Sequence, residues 1–298
     1  MTAGENTLKR RAAGSTRPVA SLGSVTRGDN PTEETRPVHP FDADTAVRQV
    51  ADDRFAAEIT GRWNTPIGTP NGGYLLATCV RALQHVVPFP DPLAVSAHYL
   101  RPAQPGPAEL RTELVRAGRR HATAQARMVQ AGKEIVRVTA TFTDLAKADG
   151  RTVELGAAPD LPDPESLDGV VSGMTIPGAT ILDHVECRMA EKPGWLAGRP
   201  SGDPRWDYWM GFKEPRGVDP LALTFLVDAV APLVFDIGAV SSATVELTVH
   251  VRGHPAPGFL ACRGVTRHVT AGYHEEDIEM WDRAGNLVAQ SRQLALLG

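Results

Sequence analysis

The chain has 298 residues, of which 42% are apolar, 22% charged and 6% aromatic, and its net charge is -4. That length fits one large domain or two of ordinary size, with a core that needs no covalent staples. The charge excludes a generally basic nucleic-acid binder. Three scattered cysteines (Cys79, Cys187, Cys262) exclude a disulfide scaffold and a cysteine-rich zinc site, and fit a reducing, cytoplasmic setting.

Residues 1–40 are rich in Thr, Gly, Arg, Pro and Glu and read as a disordered leader. Lys9, Arg10 and Arg11 precede no apolar stretch, so the leader is not expected to be a signal peptide. The chain has no run of about 18 apolar residues, so no membrane span is expected. Residues 46–50 read as a short helical turn. Phe55, Ala57 and Ile59 then alternate with polar neighbours, the period of a half-buried strand. A loop dense in turn residues, 63–73, leads into the apolar run Tyr74 to Val87, which reads as a buried helix stopped by Pro88 and Pro90. Strands follow at 94–100, 110–115, 123–129 and 135–142, with a hairpin signal at Gln130-Ala131-Gly132-Lys133. Residues 148–204, heavy in Asp, Pro and Gly, read as a linker or insert.

From residue 205 the same order returns. A strand at 206–212 precedes a second apolar run, Leu221 to Phe235, read as a helix. Strands at 243–251, 259–268, 273–281 and 287–295 complete the set. The turns repeat as well: Pro105-Gly106 answers Pro257-Gly258 at an offset of 152, and Ala131-Gly132 answers Ala284-Gly285 at 153. One repeat of that length is a duplicated domain. A buried helix followed by an antiparallel meander, twice over, predicts an α+β double hotdog. Each repeat, at 41–147 and 205–298, would be a long helix wrapped by a sheet, and the two sheets would pack edge to edge.

Several chemistries are excluded by what the sequence lacks. It has no GxSxG elbow, no Walker A loop, no GxGxxG and no HExxH. His250 and His254 lie on a segment broken by Gly253 and Pro255, so helical metal-ligand spacing does not apply there. Asp228 is the conspicuous residue, an acid among Leu226, Val227, Ala229 and Val230. A carboxylate taken out of water is costly unless it is paired or its pKa shifts. Pro232, four residues on, cannot donate to the Asp228 carbonyl, so a kink or loosened turn is expected there. The plainer alternative is a carboxylate that caps a neighbouring element or faces water at a helix end. Gly72 and Gly73 open the first helix, where backbone N–H groups could meet an anion or a developing oxyanion. Trp63, Trp206 and Trp209 could line an acyl channel or simply pack. Thr244 and Gln293 are polar residues in otherwise apolar strands and, taken alone, fit the surface.

From about residue 50 onward the chain resembles the type II acyl-CoA thioesterases of the thioesterase-like double-hotdog superfamily. The resemblance rests on Asn71-Gly72-Gly73-Tyr74 and Tyr99-Leu100-Arg101-Pro102, on Val115-Arg116-Ala117-Gly118-Arg119, on Gln130-Ala131-Gly132-Lys133 and on Thr139-Ala140-Thr141-Phe142. It implies hydrolysis of a fatty acyl-CoA by a water held between an Asp, a Thr and a Gln, which fall on Asp228, Thr244 and Gln293. Backbone N–H groups near Gly73 would steady the oxyanion. Gly72, Gly73, Tyr74, Trp63 and Trp209 would contact substrate, and Arg101, Arg116, Arg119 and Arg120 would meet the phosphates of CoA. The resemblance implies no cofactor and no metal beyond the CoA of the substrate, and allows a homo-oligomer of double-hotdog units. Two other readings remain open: a non-catalytic acyl-CoA or acyl-carrier binder, and an enoyl hydratase or dehydratase. The last would want a histidine or a second acid near the helix, where the first helix offers only His85.

Overall fold

A computed structural model describes residues 38–298. The leader expected at 1–40 therefore lies, up to residue 37, outside the described residues. The first half begins with a short helix, α1 (Pro40–Asp44), and the hairpin β1 (Arg48–Ala51) and β2 (Arg54–Ile59). The buried helix α2 (Gly72–Gln84) follows, and then the meander β3 (Asp91–Tyr99), β4 (Gly106–Ala117), β5 (Ala122–Gln130) and β6 (Lys133–Thr143). The second half contains β7 (Val185–Arg188), β8 (Arg205–Phe212), the helix α3 (Pro220–Leu226) and β9 (Ser242–Val251). It ends with β10 (Leu260–Val265), β11 (Val269–Thr270), β12 (Tyr273–Trp281) and β13 (Leu287–Leu297).

All the strands join one antiparallel sheet in the order β1-β2-β4-β5-β6-β3-β9-β13-β12-β10-β8-β7, with β11 paired to β12. The halves meet along a single ladder, β3 against β9, where Val95 faces Val249 and Ala97 faces Leu247. Joining the sheets there removes two exposed edges. Period-2 alternation turns Val136, Val138, Ala140 and Phe142 of β6 inward, each with no exposed surface. Their partner is α2, whose residues are buried on nearly every side. Only Arg81 and Gln84 reach outward, and Arg81 meets Asp42 of α1 at 3.2 Å. Each Leu or Phe buried this way contributes roughly 1.5–3 kcal/mol. The sheet wrapped around a central helix, formed twice, is a double hotdog.

Three elements differ from expectation. Arg48–Ala51 is an edge strand rather than a helical turn, because the two-residue turn at Asp52-Asp53 folds it back on β2. The segment read as a linker supplies β7, which adds a strand beyond β8, and buries Val170, Ala179, Ile181 and Val185. The second helix is short. It ends at Leu226, and the chain from Val227 to Pro232 is irregular before a 3-10 turn at Leu233–Ile237. Asp228 is thus beyond the C-terminal end of a helix rather than in the middle of one.

Candidate active site

The site is built where the first half's helix begins. Asn71 is the N-cap of α2, and its Oδ1 accepts from the Tyr74 N–H at 3.0 Å. The Gly73 N–H, which has no partner inside the helix, donates to Asp228 Oδ2 at 2.7 Å. Asn71 Nδ2 donates to the same carboxylate oxygen at 3.0 Å and to the Asp228 carbonyl at 2.8 Å. That carbonyl is the one that Pro232 leaves without a helical donor. The irregular turn is set locally: Asp228 N donates to Phe225 O at 3.1 Å and Ala229 N to Leu226 O at 3.2 Å, both tight three-residue spacings. The helix of one half therefore receives an acid from the other half.

Glycine is required for this approach. A Cβ at Gly73 would fall 2.5 Å from Phe225 O and 3.0 Å from Asp228 Cβ. A Cβ at Gly72 would fall 2.9 Å from Asp228 Oδ2 and 3.0 Å from Tyr99 Cζ. Burial pushes the Asp228 carboxyl up to about 6, against the Gly73 N–H and the Asn71 amide, which pull it down. The result is a carboxylate that ionises near neutrality at the mouth of a helix.

The second cluster lies on the inner face of β9, β12 and β13. Thr244 Oγ1 donates to Gln293 Oε1 at 3.3 Å. Strand parity alone would turn Thr244 outward, since Leu247, Val249 and Val251 face in. An extra residue, Val245, breaks the register between Leu294 and Ala295, so that Thr244 sits opposite inward-facing Ala295. Gln293 is buried and pairs across the ladder with Glu276. Asp228 makes no hydrogen bond to Thr244 or to Gln293. The expected trio is therefore a bonded pair plus a separately anchored acid.

Glu276 was not singled out from the sequence. It is 5% exposed, and its Oε2 accepts from the Leu233 N–H at 2.9 Å, which anchors the far end of the segment that starts at Asp228. Burial pushes its carboxyl up to about 8, the Leu233 N–H pulls it down, and the Asp228 charge pushes it further up. Period-2 parity with inward-facing Ile278 and Met280 was the signal that could have found it. Next along the same face, His274 is 1% exposed and its Nε2 lies 2.9 Å from Ser242 Oγ.

The other expected site residues have these surroundings. Tyr74 is fully buried, and its hydroxyl donates to Asp44 O at 3.0 Å and accepts from the Thr60 N–H at 3.2 Å, so it fastens the helix to β2 and α1. Trp63 has no exposed surface, donates to Asp44 Oδ2 at 2.8 Å and packs edge-on against Phe41 and Phe225. Trp209 is on the outer face of β8 with Ala261 and Trp281, and donates to Pro162 O at 2.8 Å beneath the 158–167 segment. Trp206 also faces inward but gives its indole N–H to Asp236 at 2.7 Å. The Gly73 N–H, expected to meet an oxyanion, is taken by Asp228. The free backbone donor is one residue earlier, at partly accessible Gly72, whose N–H has no acceptor among the described residues. Arg101, Arg116, Arg119 and Arg120 are all exposed, the last three at the β4–β5 turn.

Sequence comparison matches residues 59–143 to the acyl-CoA thioesterase N-terminal domain and residues 155–297 to the acyl-CoA thioesterase C-terminal domain. An uncharacterised protein of Mycobacterium tuberculosis H37Rv is 31% identical over 268 residues, which cover 82% of this chain and 90% of that protein. Among solved structures, a Thermobifida fusca YX protein assigned as a thioesterase II is 31% identical, with a TM-score of 0.79 over 88% of this chain and 99% of that one. The acyl-CoA thioesterase II TesB2 of Mycobacterium marinum shares the fold at 18% identity and a TM-score of 0.67, covering 87% of this chain and 98% of that one. The two matched domains take in α2 and β3–β6 of the first half and β7–β13 with α3 of the second, while α1, β1 and most of β2 precede them, and the chain belongs to the acyl-CoA thioesterase family.

Proposed function

We propose that this protein hydrolyses a fatty acyl-CoA thioester to the free acid and CoA, acting in lipid metabolism in the cytoplasm. The observation that carries the reading is the Asp228 carboxylate, which burial raises to a pKa of about 6 while the Gly73 N–H at the start of α2 anchors it. A general base works best when its pKa is near the operating pH. Asp228 takes a proton from a water as the water oxygen bonds to the thioester carbon. Thr244 and Gln293 orient that water. They reach Asp228 through it, which fits the absence of a direct bond between them. The Gly72 N–H steadies the carbonyl oxygen. Collapse of the tetrahedral species then breaks the carbon–sulfur bond, and the proton on Asp228 passes to the sulfur of CoA. No covalent bond to the protein forms in these steps. Exposed Arg101, two residues beyond Tyr99 at the end of β3, is available to the CoA phosphates.

A panel of acyl-CoAs of increasing chain length tests the reading. Release of free thiol, with a preferred chain length, supports it. Tight equilibrium binding without thiol release would instead make this a non-catalytic acyl-CoA binder.

A further inference from the structure

Tyr99 is the last residue of β3 and shares its inward face with Val95 and Ala97. Its ring lies against Gly72 at the start of α2. One point in space, the Cβ position of Gly72, is 3.0 Å from Tyr99 Cζ and 2.9 Å from Asp228 Oδ2. The phenol and the carboxylate therefore flank the same backbone atoms. The Tyr99 hydroxyl is buried, yet no described residue gives or accepts a hydrogen bond with it. Leaving such a group unpaired costs about 1–3 kcal/mol. A phenylalanine would fill the same space without that cost, so the hydroxyl needs a partner outside the described residues.

The surroundings say what kind of partner. Burial, with the Asp228 charge next in size, holds the Tyr99 phenol well above its usual range, so it keeps its proton and acts as a donor. The adjacent Gly72 N–H is also a donor without an acceptor among the described residues. Two donors beside a general base call for an oxygen that gains negative charge when that base acts.

We propose that Tyr99 is a further catalytic residue, whose hydroxyl donates a hydrogen bond to the thioester carbonyl oxygen as that oxygen becomes an oxyanion. The inference rests on the thioester-hydrolase reading. As water's oxygen bonds to the carbonyl carbon and its proton passes to Asp228, the carbonyl π pair moves onto oxygen. The Tyr99 O–H stabilises that charge without giving up its proton. When the carbon–sulfur bond breaks, the pair returns to the carbonyl, and Tyr99 is unchanged.

The test is Tyr99→Phe in the full chain. The expected result is a kcat for acyl-CoA hydrolysis lower by about tenfold or more, because one oxyanion donor commonly carries 10²–10³ in kcat. KM should change little. The melting temperature should hold or rise, since the hydroxyl bonds to no described residue. A second readout uses two non-hydrolysable ligands, an acyl-CoA ketone with methylene in place of sulfur and a thioether that lacks the carbonyl. Tyr99→Phe should weaken the ketone and leave the thioether unaffected. An unchanged kcat with equal loss or no loss for both ligands would overturn the role of Tyr99, and so would a marked fall in melting temperature. In that case hydrolysis by the unaltered protein and its loss in Asp228→Asn would still uphold the hydrolase reading. Selective loss of ketone binding in a protein that releases no thiol would overturn hydrolysis and keep Tyr99 as the carbonyl's donor.

Discussion

The Gly73 N–H donates to Asp228 Oδ2 at 2.7 Å, so the helix of the first half closes on a carboxylate carried by the second. The bond links residues 155 positions apart. Neither half holds the arrangement alone. The positive end of α2 favours the ionised acid, burial disfavours it, and the balance leaves a carboxyl that titrates near neutrality. The first expected outcome concerns the two glycines at that junction. Gly73→Ala puts a methyl group 2.5 Å from the backbone oxygen of Phe225, which cannot move without the end of α3. It should cost about 2 kcal/mol or more, on the scale of overpacked cores, together with most activity. Gly72→Ala meets only side chains, Asp228 and Tyr99, and should lower kcat more than the melting temperature. Thermal unfolding beside thiol-release kinetics separates the two effects.

Asn71→Ala removes the helix cap and both bonds to Asp228. Loss of the cap should cost on the order of 1 kcal/mol. Loss of a donor to the ionised carboxylate raises its pKa. The acid limb of the kcat/KM profile should therefore move to higher pH than in the parent protein. A limb that stays in place would mean that the Asn71 amide does not tune the acid.

Glu276 makes stability depend on pH. Its folded pKa of about 8 lies above the ordinary 4.5, so the folded state binds more protons between those values. Stability is then full below about pH 4.5 and falls as pH rises through about 8. Asp228, raised to about 6, adds a smaller fall at lower pH. Glu276→Gln keeps an acceptor for the Leu233 N–H and cannot ionise. It should match the parent near pH 4.5 and exceed it by a few kcal/mol above pH 8, read as melting temperature across the range.

Thr244→Val and Gln293→Leu each break the 3.3 Å bond on the inner face of β9 and β13. Under the proposed mechanism each lowers kcat by roughly tenfold to a hundredfold, with little change in KM, because both residues orient the attacking water. The double variant should be far less than additive, since the two act on one water. Steady-state kinetics of the three variants tests this.

Much of the architecture was legible in the sequence because it depends on local rules. Turn residues and period-2 alternation marked the strands of both meanders, and the repeat of those turns marked the duplication. Asp228 stood out because an acid among Leu226, Val227, Ala229 and Val230 needs an explanation. Its true setting was not legible. That the helix stops at Leu226 depends on Asn71, 157 positions away, taking over the carbonyl that Pro232 cannot serve. The inward turn of Thr244 depends on a bulge at Val245 that contradicts the parity of its own strand. The surroundings of the tryptophans were not legible because an indole N–H needs an acceptor: Asp44, Asp236 and Pro162 O take those of Trp63, Trp206 and Trp209, all contacts formed only in the folded chain. Glu276 was readable by parity with Ile278 and Met280, and was hidden by the run of acids around it.

The central claim is that Asp228 is the base for thioester hydrolysis, and the most direct test compares free-thiol release from acyl-CoA by the parent protein and by Asp228→Asn across pH. Asparagine keeps an acceptor for the Gly73 N–H, so the fold should persist. The account predicts a parent activity that falls off below about pH 6 and a variant slower by about 10²–10⁴-fold throughout. A variant that releases thiol as fast as the parent, with the same pH profile, would contradict it.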